Sequence, residues 1–377
     1  MAGLYIHIPF CRRRCNYCDF YFTTDQNLIE PYLQALSNEI TSKASFLNGE
    51  MVSSIYFGGG TPSLLSQEQL HMIFQDVHAQ YNIAPEAEIT IEANPEDCKE
   101  AFWPAIKSLG INRLSLGVQS FNQEKLSLLH RKHTGRQSHE VAEKALVELP
   151  NVNIDLIFGA EGETLEAWQK ELRQAIEMNP QHISPYSLTL EEKTPFYRMV
   201  EMGKRAKPND ELQEKMYVDA IQMLKANGYR HYEVSNFARP GFQARHNLAC
   251  WKREPYLGFG PAAHSYYLKE GKQIRQANQK NIKIYINQPL QAIDFREELS
   301  DIEILNEEIL LGLRQECGVS MDVLKKRCKF AGSEPIKRQQ SIEQLEKLQL
   351  IKLTTEGIYL TEKGFTLADS VAEALFV

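Results

Sequence analysis

Three cysteines, Cys11, Cys15 and Cys18, sit on one short stretch of chain in the spacing Cys-x3-Cys-x2-Cys. Thiolates are soft anionic donors, and three so close together can converge on a single metal centre only if the loop wraps around it. The number is informative. Structural zinc sites and electron-transfer clusters usually fill all four positions, whereas three protein ligands leave one position open to a small molecule. The triplet follows an apolar strand over Leu4–Ile8 and reads as an open iron–sulfur site. A zinc site completed by His7 is the alternative. Tyr5 and His7 share one strand face and Leu4, Ile6 and Ile8 the other, which favours interior packing for His7.

Polar residues recur at the ends of the strands that follow. Gly58, Gly59, Gly60, Thr61 and Pro62 close the second strand, where glycines let a backbone approach a ligand closely. Glu92 and Asn94 end the third strand and Gln119 and Ser120 the fourth. Asp155 lies within the fifth, ahead of Gly159. Any one of these is ordinary strand capping. Four successive strands carrying cysteine, glycine or polar groups at one end point to the ligand face of a β/α barrel. Arg131, in LLHRKHT, is read by itself as a solvated charge.

The elements that must hold these residues are short apolar strands alternating with amphipathic stretches. The pattern predicts strands over Leu4–Ile8, Ser54–Phe57, Glu88–Ile91, Arg113–Val118, Asn153–Phe158 and His182–Leu190. It predicts helices over Leu28–Phe46, Gln67–Gln80, Asp97–Leu109, Gln137–Leu149, Leu165–Met178 and Asn209–Asn227. Each crossover is long enough for a helix, so the units are βα and the sheet parallel. Six units are too few for eight strands, which predicts an open partial barrel. The fold expected is therefore α/β: a partial (β/α)6 barrel over 1–235, a connecting segment over 236–300, and a smaller α+β winged-helix-like domain over 301–377. The last is read from helices at Ile302–Cys317, Met321–Lys329 and Ser341–Leu348, a hairpin at Leu350–Tyr359, and a final helix after Glu362.

The 377 residues carry a net charge of −7 with 43% hydrophobic content. This is a globular composition and argues against general nucleic-acid binding, which needs excess Lys and Arg. No secretory h-region and no stretch long enough to span a bilayer is visible. Seven cysteines, three of them crowded together, fit metal chemistry in a reducing cytosol better than a disulfide framework. Cys98, Cys317 and Cys328 read as ordinary helix-borne cysteines.

The cysteine spacing, with Tyr17 before the last thiol, resembles the cluster motif of the radical S-adenosylmethionine (SAM) superfamily. The resemblance implies a [4Fe–4S] cluster on Cys11, Cys15 and Cys18, with SAM chelating the fourth iron. YIHIPFC, YFGGGTP, LSLGVQSF, LLHRKHT and DLIFG together resemble the oxygen-independent coproporphyrinogen III oxidase (HemN-like) group. By that resemblance Tyr5, Gly59, Gly60, Thr61, Glu92, Gln119, Arg131 and Asp155 contact SAM. Glu92 and Asp155 would accept hydroxyls, and Arg131 would donate to a carboxylate.

Within the group, two functions compete: a porphyrinogen oxidase that decarboxylates propionates, and a haem chaperone, the HemW branch. The cluster motif begins at residue 11, short of the oxidase's longer N-terminal segment. Phe20 stands where the oxidase carries a further cysteine. Both features favour the chaperone. His246-Asn247-Leu248-Ala249-Cys250-Trp251 resembles the branch's haem-associated HNxxYW, with Cys250 in place of tyrosine. His246 and Cys250 are thus haem-ligand candidates, and both residue types can ligate haem iron. Packing of the domain junction by His246 and Trp251 is the competing reading. His264 is a further, weaker candidate. The resemblance implies a cytoplasmic protein, a monomer or homodimer, whose partners are haem and haem-acceptor proteins, contacts with peripheral membrane proteins included. Phe158-Gly-Ala-Glu-Gly-Glu163 departs from the relatives' FGLPGQT by adding two acids beside the expected cofactor face.

Overall fold

A computed structural model describes residues 1–330 and 335–376; the side chains of 327–330 and 335–339 lie outside what it describes. Cys328 belongs to the latter group. Twelve strands form one sheet: β1 (Ala2–Ile8), β2 (Val52–Gly59), β3 (Ile83–Ala93), β4 (Arg113–Gln119), β5 (Val152–Phe158), β6 (His182–Ser187), β7 (Arg230–Glu233), β8 (Asn236–Ala238), β9 (Tyr256–Phe259), β10 (His264–Lys269), β11 (Lys272–Asn278) and β12 (Ile293–Glu298). Their order is β12-β11-β10-β9-β1-β2-β3-β4-β5-β6-β8-β7. β1 to β6 run parallel, each beside its predecessor, and β9 joins β1 in parallel from the other side. β8 and β7 close one edge antiparallel, and β10, β11 and β12 extend the other.

The parallel centre follows from the strand sequences. β1, β4 and β5 are buried along nearly their whole length, as strands covered on both faces must be. Between the parallel strands run the amphipathic helices Ile29–Ser42, Gln67–Gln80, Gly135–Glu148 and Leu165–Glu177, and after β6 comes Asp210–Ala226. Each of the last four starts at a side-chain cap: Ser66, Thr134, Thr164 and Asn209 accept from the first turn. One apolar core unites the sheet with these helices. A second core, around Leu305, Ile309, Leu313, Leu350 and Ile358, holds the C-terminal module. There a three-stranded sheet, β13 (Val319–Ser320), β14 (Ile351–Leu353) and β15 (Gly357–Leu360), packs with helices Asp301–Leu313, Met321–Phe330 and Pro335–Lys347.

Several boundaries differ from the sequence expectation, each for a local reason. The stretch Asp97–Leu109 is helical only over Phe102–Ser108, because Asn94 to Lys99 is spent on turns and Asp97 pairs with Arg12. The helix expected over Leu28–Phe46 ends at Ser42 and continues as a 3-10 turn over Ala44–Leu47. Lys43, at that break, turns its side chain inward to Glu39 and the Gly258 carbonyl. β6 stops at Ser187 rather than Leu190, and the chain turns into the Thr194-capped helix Pro195–Glu201.

Glu39 fastens the added strands to the barrel. Its carboxylate is fully buried and accepts from Tyr285 Oη (2.6 Å), Gly260 N (2.8 Å), Asn278 Nδ2 (2.7 Å) and Lys43 Nζ (2.6 Å). A buried charge is tolerable only when satisfied in this way.

Candidate functional site

The cysteine loop leaves β1 and is tied down on all sides. Cys11 N donates to Thr23 O, and Thr23 N to Pro9 O. Asn16 Nδ2 donates to Leu128 O at 2.9 Å, while Phe196 N donates to Asn16 O. Tyr17 packs into a small apolar cluster with Leu129, Ile157, Ala160, Leu188 and Phe196. The loop is thereby held between the ends of several elements. The three thiols are half-buried and close enough to influence one another's charge. Burial pushes Cys11 up to about 12 and also raises Cys18, so metal binding there must release protons. Among the described residues no three His, Cys, Asp or Glu side chains are already drawn into metal-binding geometry. Thr61 Oγ1 donates to Cys11 Sγ at 3.5 Å, and Arg131 Nη1 approaches Cys15 Sγ at 3.7 Å. Phe20 lies exposed just beyond the loop.

The strand ends named from the sequence meet at this loop. Gly59 has a φ of +109°, and a Cβ there would lie 2.5 Å from the His7 ring. At Gly60 it would strike the Ile8 and Phe10 carbonyls at 2.8 Å. Glu92 accepts from Tyr56 Oη (2.8 Å) and Gly59 N (3.0 Å). Burial lifts it to about 7, with Asp155 adding to the rise. Asp155 accepts from Asn153 Nδ2 (2.7 Å) and Ser115 Oγ (3.1 Å), and burial lifts it to about 6. Asn94 links Thr61 to Arg131. Gln119 ends β4 in a left-handed conformation, φ 63°, which the surrounding structure must hold. Tyr5 Oη lies 3.1 Å from His7 Nδ1, and His7 Nε2 lies 2.9 Å from Tyr21 O. Both ring nitrogens of His7 are thus occupied within the fold, as interior packing requires.

Arg131 is the residue whose placement departs most from its isolated reading. It is drawn inward to Gly117 O (3.0 Å) and Asn94, and its Nε is buried with no partner. Asn16 Oδ1 is likewise orphaned beside the loop. Three thiols, a glycine cradle without room for a Cβ, and two unsatisfied buried polar atoms fit an iron–sulfur cluster with an anionic, hydrogen-bonding ligand beside it.

Sequence reasoning missed two supporting devices. His133 Nδ1 meets Glu96 Oε2 and its Nε2 meets Val118 O, both at 2.9 Å. Against its burial, Glu96 is held down to about 2 by that histidine and by Arg131. The pair brings together distant stretches of chain, so no local pattern announces it. The second device explains the two added acids. Glu163 accepts from Gly159 N (2.8 Å) and Ala160 N (3.0 Å), capping its own turn, and pairs with buried Lys125 at 2.5 Å. Lys125 also pairs with Glu171 at 2.8 Å. Glu161 pairs with Arg205 at 3.2 Å.

Helix Arg245–Trp251 carries the HNxxCW residues and presents two faces. His246 points into the barrel, buried, with Nδ1 3.0 Å from Ser54 Oγ and its ring tilted against Tyr56 at 5.3 Å. Burial lowers it to about 4, so it is neutral. Glu88 accepts from the backbone N–H groups of Arg245 and His246, both at 3.1 Å, anchoring the helix start. On the other side Asn247, Cys250 and Trp251, with Tyr256, Tyr266 and Leu311, line a cleft of about 320 Å³ between the sheet extension and the C-terminal module. Burial pushes the Cys250 thiol up to about 12. His264 lies outside this cleft, its ring against Phe295 at 5.8 Å.

Residues 5–175 match the model of the Radical SAM superfamily, and residues 299–367 match the HemN C-terminal domain. The chain is similar to the heme chaperone HemW of Bacillus subtilis, with 34% identity over 98% of both chains. It is similar also to the heme chaperone HemW of Lactococcus lactis, with 35% identity over 98% of this chain and 96% of that one. Among solved structures it resembles the coproporphyrinogen III oxidase HemN of Escherichia coli, a radical SAM enzyme, with a TM-score of 0.83 and 25% identity. That likeness covers 100% of this chain and 90% of the other.

Proposed function

We infer, from the premise that the chain belongs to the HemW family of radical SAM proteins, that it is a haem chaperone which binds haem and passes it to acceptor proteins. The observation that carries this reading is the two-faced helix Arg245–Trp251. One face is locked into the barrel through His246. The other opens Asn247, Cys250 and Trp251 to an aromatic cleft at a domain junction, a usual place for a ligand site.

In this reading Cys11, Cys15 and Cys18 hold three irons of a [4Fe–4S] cluster. Tyr5, Gly59, Gly60, Thr61, Glu92, Gln119, Arg131 and Asp155 surround SAM. When bound, the pair supplies one-electron chemistry. The chain's own residues do the positioning. Gly59 and Gly60 let the backbone close on the ligand. Arg131 and Asn94 orient an anionic group, and Glu92 and Asp155 accept hydroxyl hydrogens. Cys250 would ligate haem iron from the cleft as a thiolate, giving up its proton on binding, while His246 serves the same site by fixing the helix that carries it. Haem-acceptor proteins, peripheral membrane proteins among them, are the partners; nucleic acid is not one. No helix among the described residues is long and apolar enough to cross a membrane, and the site of action we propose is the cytoplasm, as monomer or homodimer.

Titration of purified, cluster-loaded protein with haem, followed at the Soret band, tests the reading. Saturable binding is expected, weakened in His246→Ala with the cluster spectrum intact. No saturable binding sinks it. Anaerobic incubation with coproporphyrinogen III, SAM and a reductant separates the oxidase, which would form protoporphyrinogen and deoxyadenosine.

A further inference from the structure

The cleft beside Cys250 has one wall of unusual chemistry. Tyr256, Tyr266, Arg275 and Glu297 face one another in a row across β9, β10, β11 and β12. Arg253 follows the HNxxCW helix in a left-handed conformation, φ 58°, and its guanidinium lies 5.3 Å from the centre of the Tyr266 ring. Glu297 already stands 3.6 Å from Arg275 Nη1, and onto this aromatic surface the C-terminal module adds a second carboxylate. Glu307, on helix Asp301–Leu313, pairs with Arg253 Nη2 at 3.1 Å and also with Arg275 Nη2. Arg253 and Glu307 are largely buried, their side chains only 10% and 17% exposed. Arg253 Nε is buried with no partner. Arg253 Nη2 also donates to Gln273 Oε1 at 2.8 Å and Nη1 to Ile304 O at 3.4 Å, so the two arginines form an anion site that the chain itself fills, save for Arg253 Nε.

We propose that Glu307 is an internal stand-in for a ligand carboxylate, and that the Arg253–Arg275 pair binds a propionate of haem once Glu307 is displaced. The proposal rests on the haem reading above and assigns it a specificity device. Paired guanidiniums recognise carboxylates with charge-assisted hydrogen bonds. At about 320 Å³ the cleft is at the small end for ligand sites, and a porphyrin needs it wider. Withdrawal of the Glu307 helix does both things at once: it frees the guanidinium edges that Glu307 and the Ile304 carbonyl hold and opens the cleft on the side of Leu311. Binding is thereby coupled to release of the C-terminal module from the sheet. An exchange of one carboxylate for another leaves the buried Arg253 paired throughout, avoiding the penalty of an uncompensated buried charge.

The test titrates the full-length, cluster-loaded chain with haem and with haem dimethyl ester. Wild type is expected to bind the diacid about tenfold or more tighter than the diester. Glu307→Gln is expected to bind haem about tenfold tighter than wild type. Hydrogen exchange across 301–313 is expected to speed up when haem is added to wild type. Equal affinity for acid and ester, unchanged or weaker haem binding by a folded Glu307→Gln, or slower exchange in that helix overturns the proposal. If the variant does not fold, the two wild-type measurements decide. Absence of saturable haem binding in wild type and variant alike removes the haem reading itself, whereas wild-type binding without acid preference removes only the carboxylate exchange.

Discussion

The sharpest division among the ionisable residues is between those held charged and those held neutral. Glu96, beside His133 and Arg131, stays ionised well into acid. Glu92 behaves in the opposite way, since burial lifts it from 4.5 to about 7. Because the folded state holds this proton more tightly than the unfolded chain, stability falls as pH rises from the ordinary carboxylate range through about 7. The loss amounts to up to roughly 3 kcal/mol, less whatever solvent screening removes. Glu92→Gln is expected to flatten that decline, seen as a smaller drop in melting temperature between pH 5 and pH 8 than wild type shows. An equal drop in both proteins would assign the slope to other groups. Alanine at Cys11, Cys15 or Cys18 is expected to abolish the visible charge-transfer absorption of the reconstituted cluster. Alanine at Cys98, Cys250 or Cys317 is expected to leave it intact. Arg131→Met is expected to weaken SAM binding by about 1.5–3 kcal/mol, the worth of a hydrogen bond to a charged group, measured by calorimetry on the cluster-loaded protein.

Among the elements, what matters is how strand ends are held together. β2 must end in glycine because His7, on β1, occupies the volume a side chain would need. Gly59→Ala is expected to cost about 1–3 kcal/mol from backbone strain alone, read from the denaturant midpoint, and more if His7 is pushed from Tyr21 O. Glu39 plays the same part for the added strands. Glu39→Ala leaves Lys43 buried and unpaired, which costs about 3–5 kcal/mol; a loss below 1 kcal/mol would mean that solvent reaches the site. β1 to β6 were legible because strands buried on both faces read as apolar runs between helical periods. β9 to β12 were not. They are short and mixed in character, and β9 lies beside β1 only through a pairing some 250 residues apart in sequence, which no local pattern encodes. The same holds for the His133–Glu96 pair and for the Glu163–Lys125–Glu171 network. The cysteine triplet and the glycine loop were legible because their spacing is itself local.

At the scale of the whole molecule, the chain is a barrel whose open mouth carries the cysteine loop, extended on one side by a sheet against which a second core docks. The HNxxCW helix stands where these parts join. The sequence placed His246 and Cys250 in one motif; the fold separates them, one into the barrel and the other into the cleft, a split that only tertiary packing decides. In the reading proposed above, that helix is what links the barrel to the haem. The most direct test is transfer. The haem-loaded, cluster-containing protein is mixed with the apo form of a b-type haem protein, and recovery of the acceptor's absorption is followed. Haem passing to the acceptor faster than it dissociates from this chain alone is the expected result. Haem that stays bound, or that moves only at its rate of free dissociation, would contradict the account.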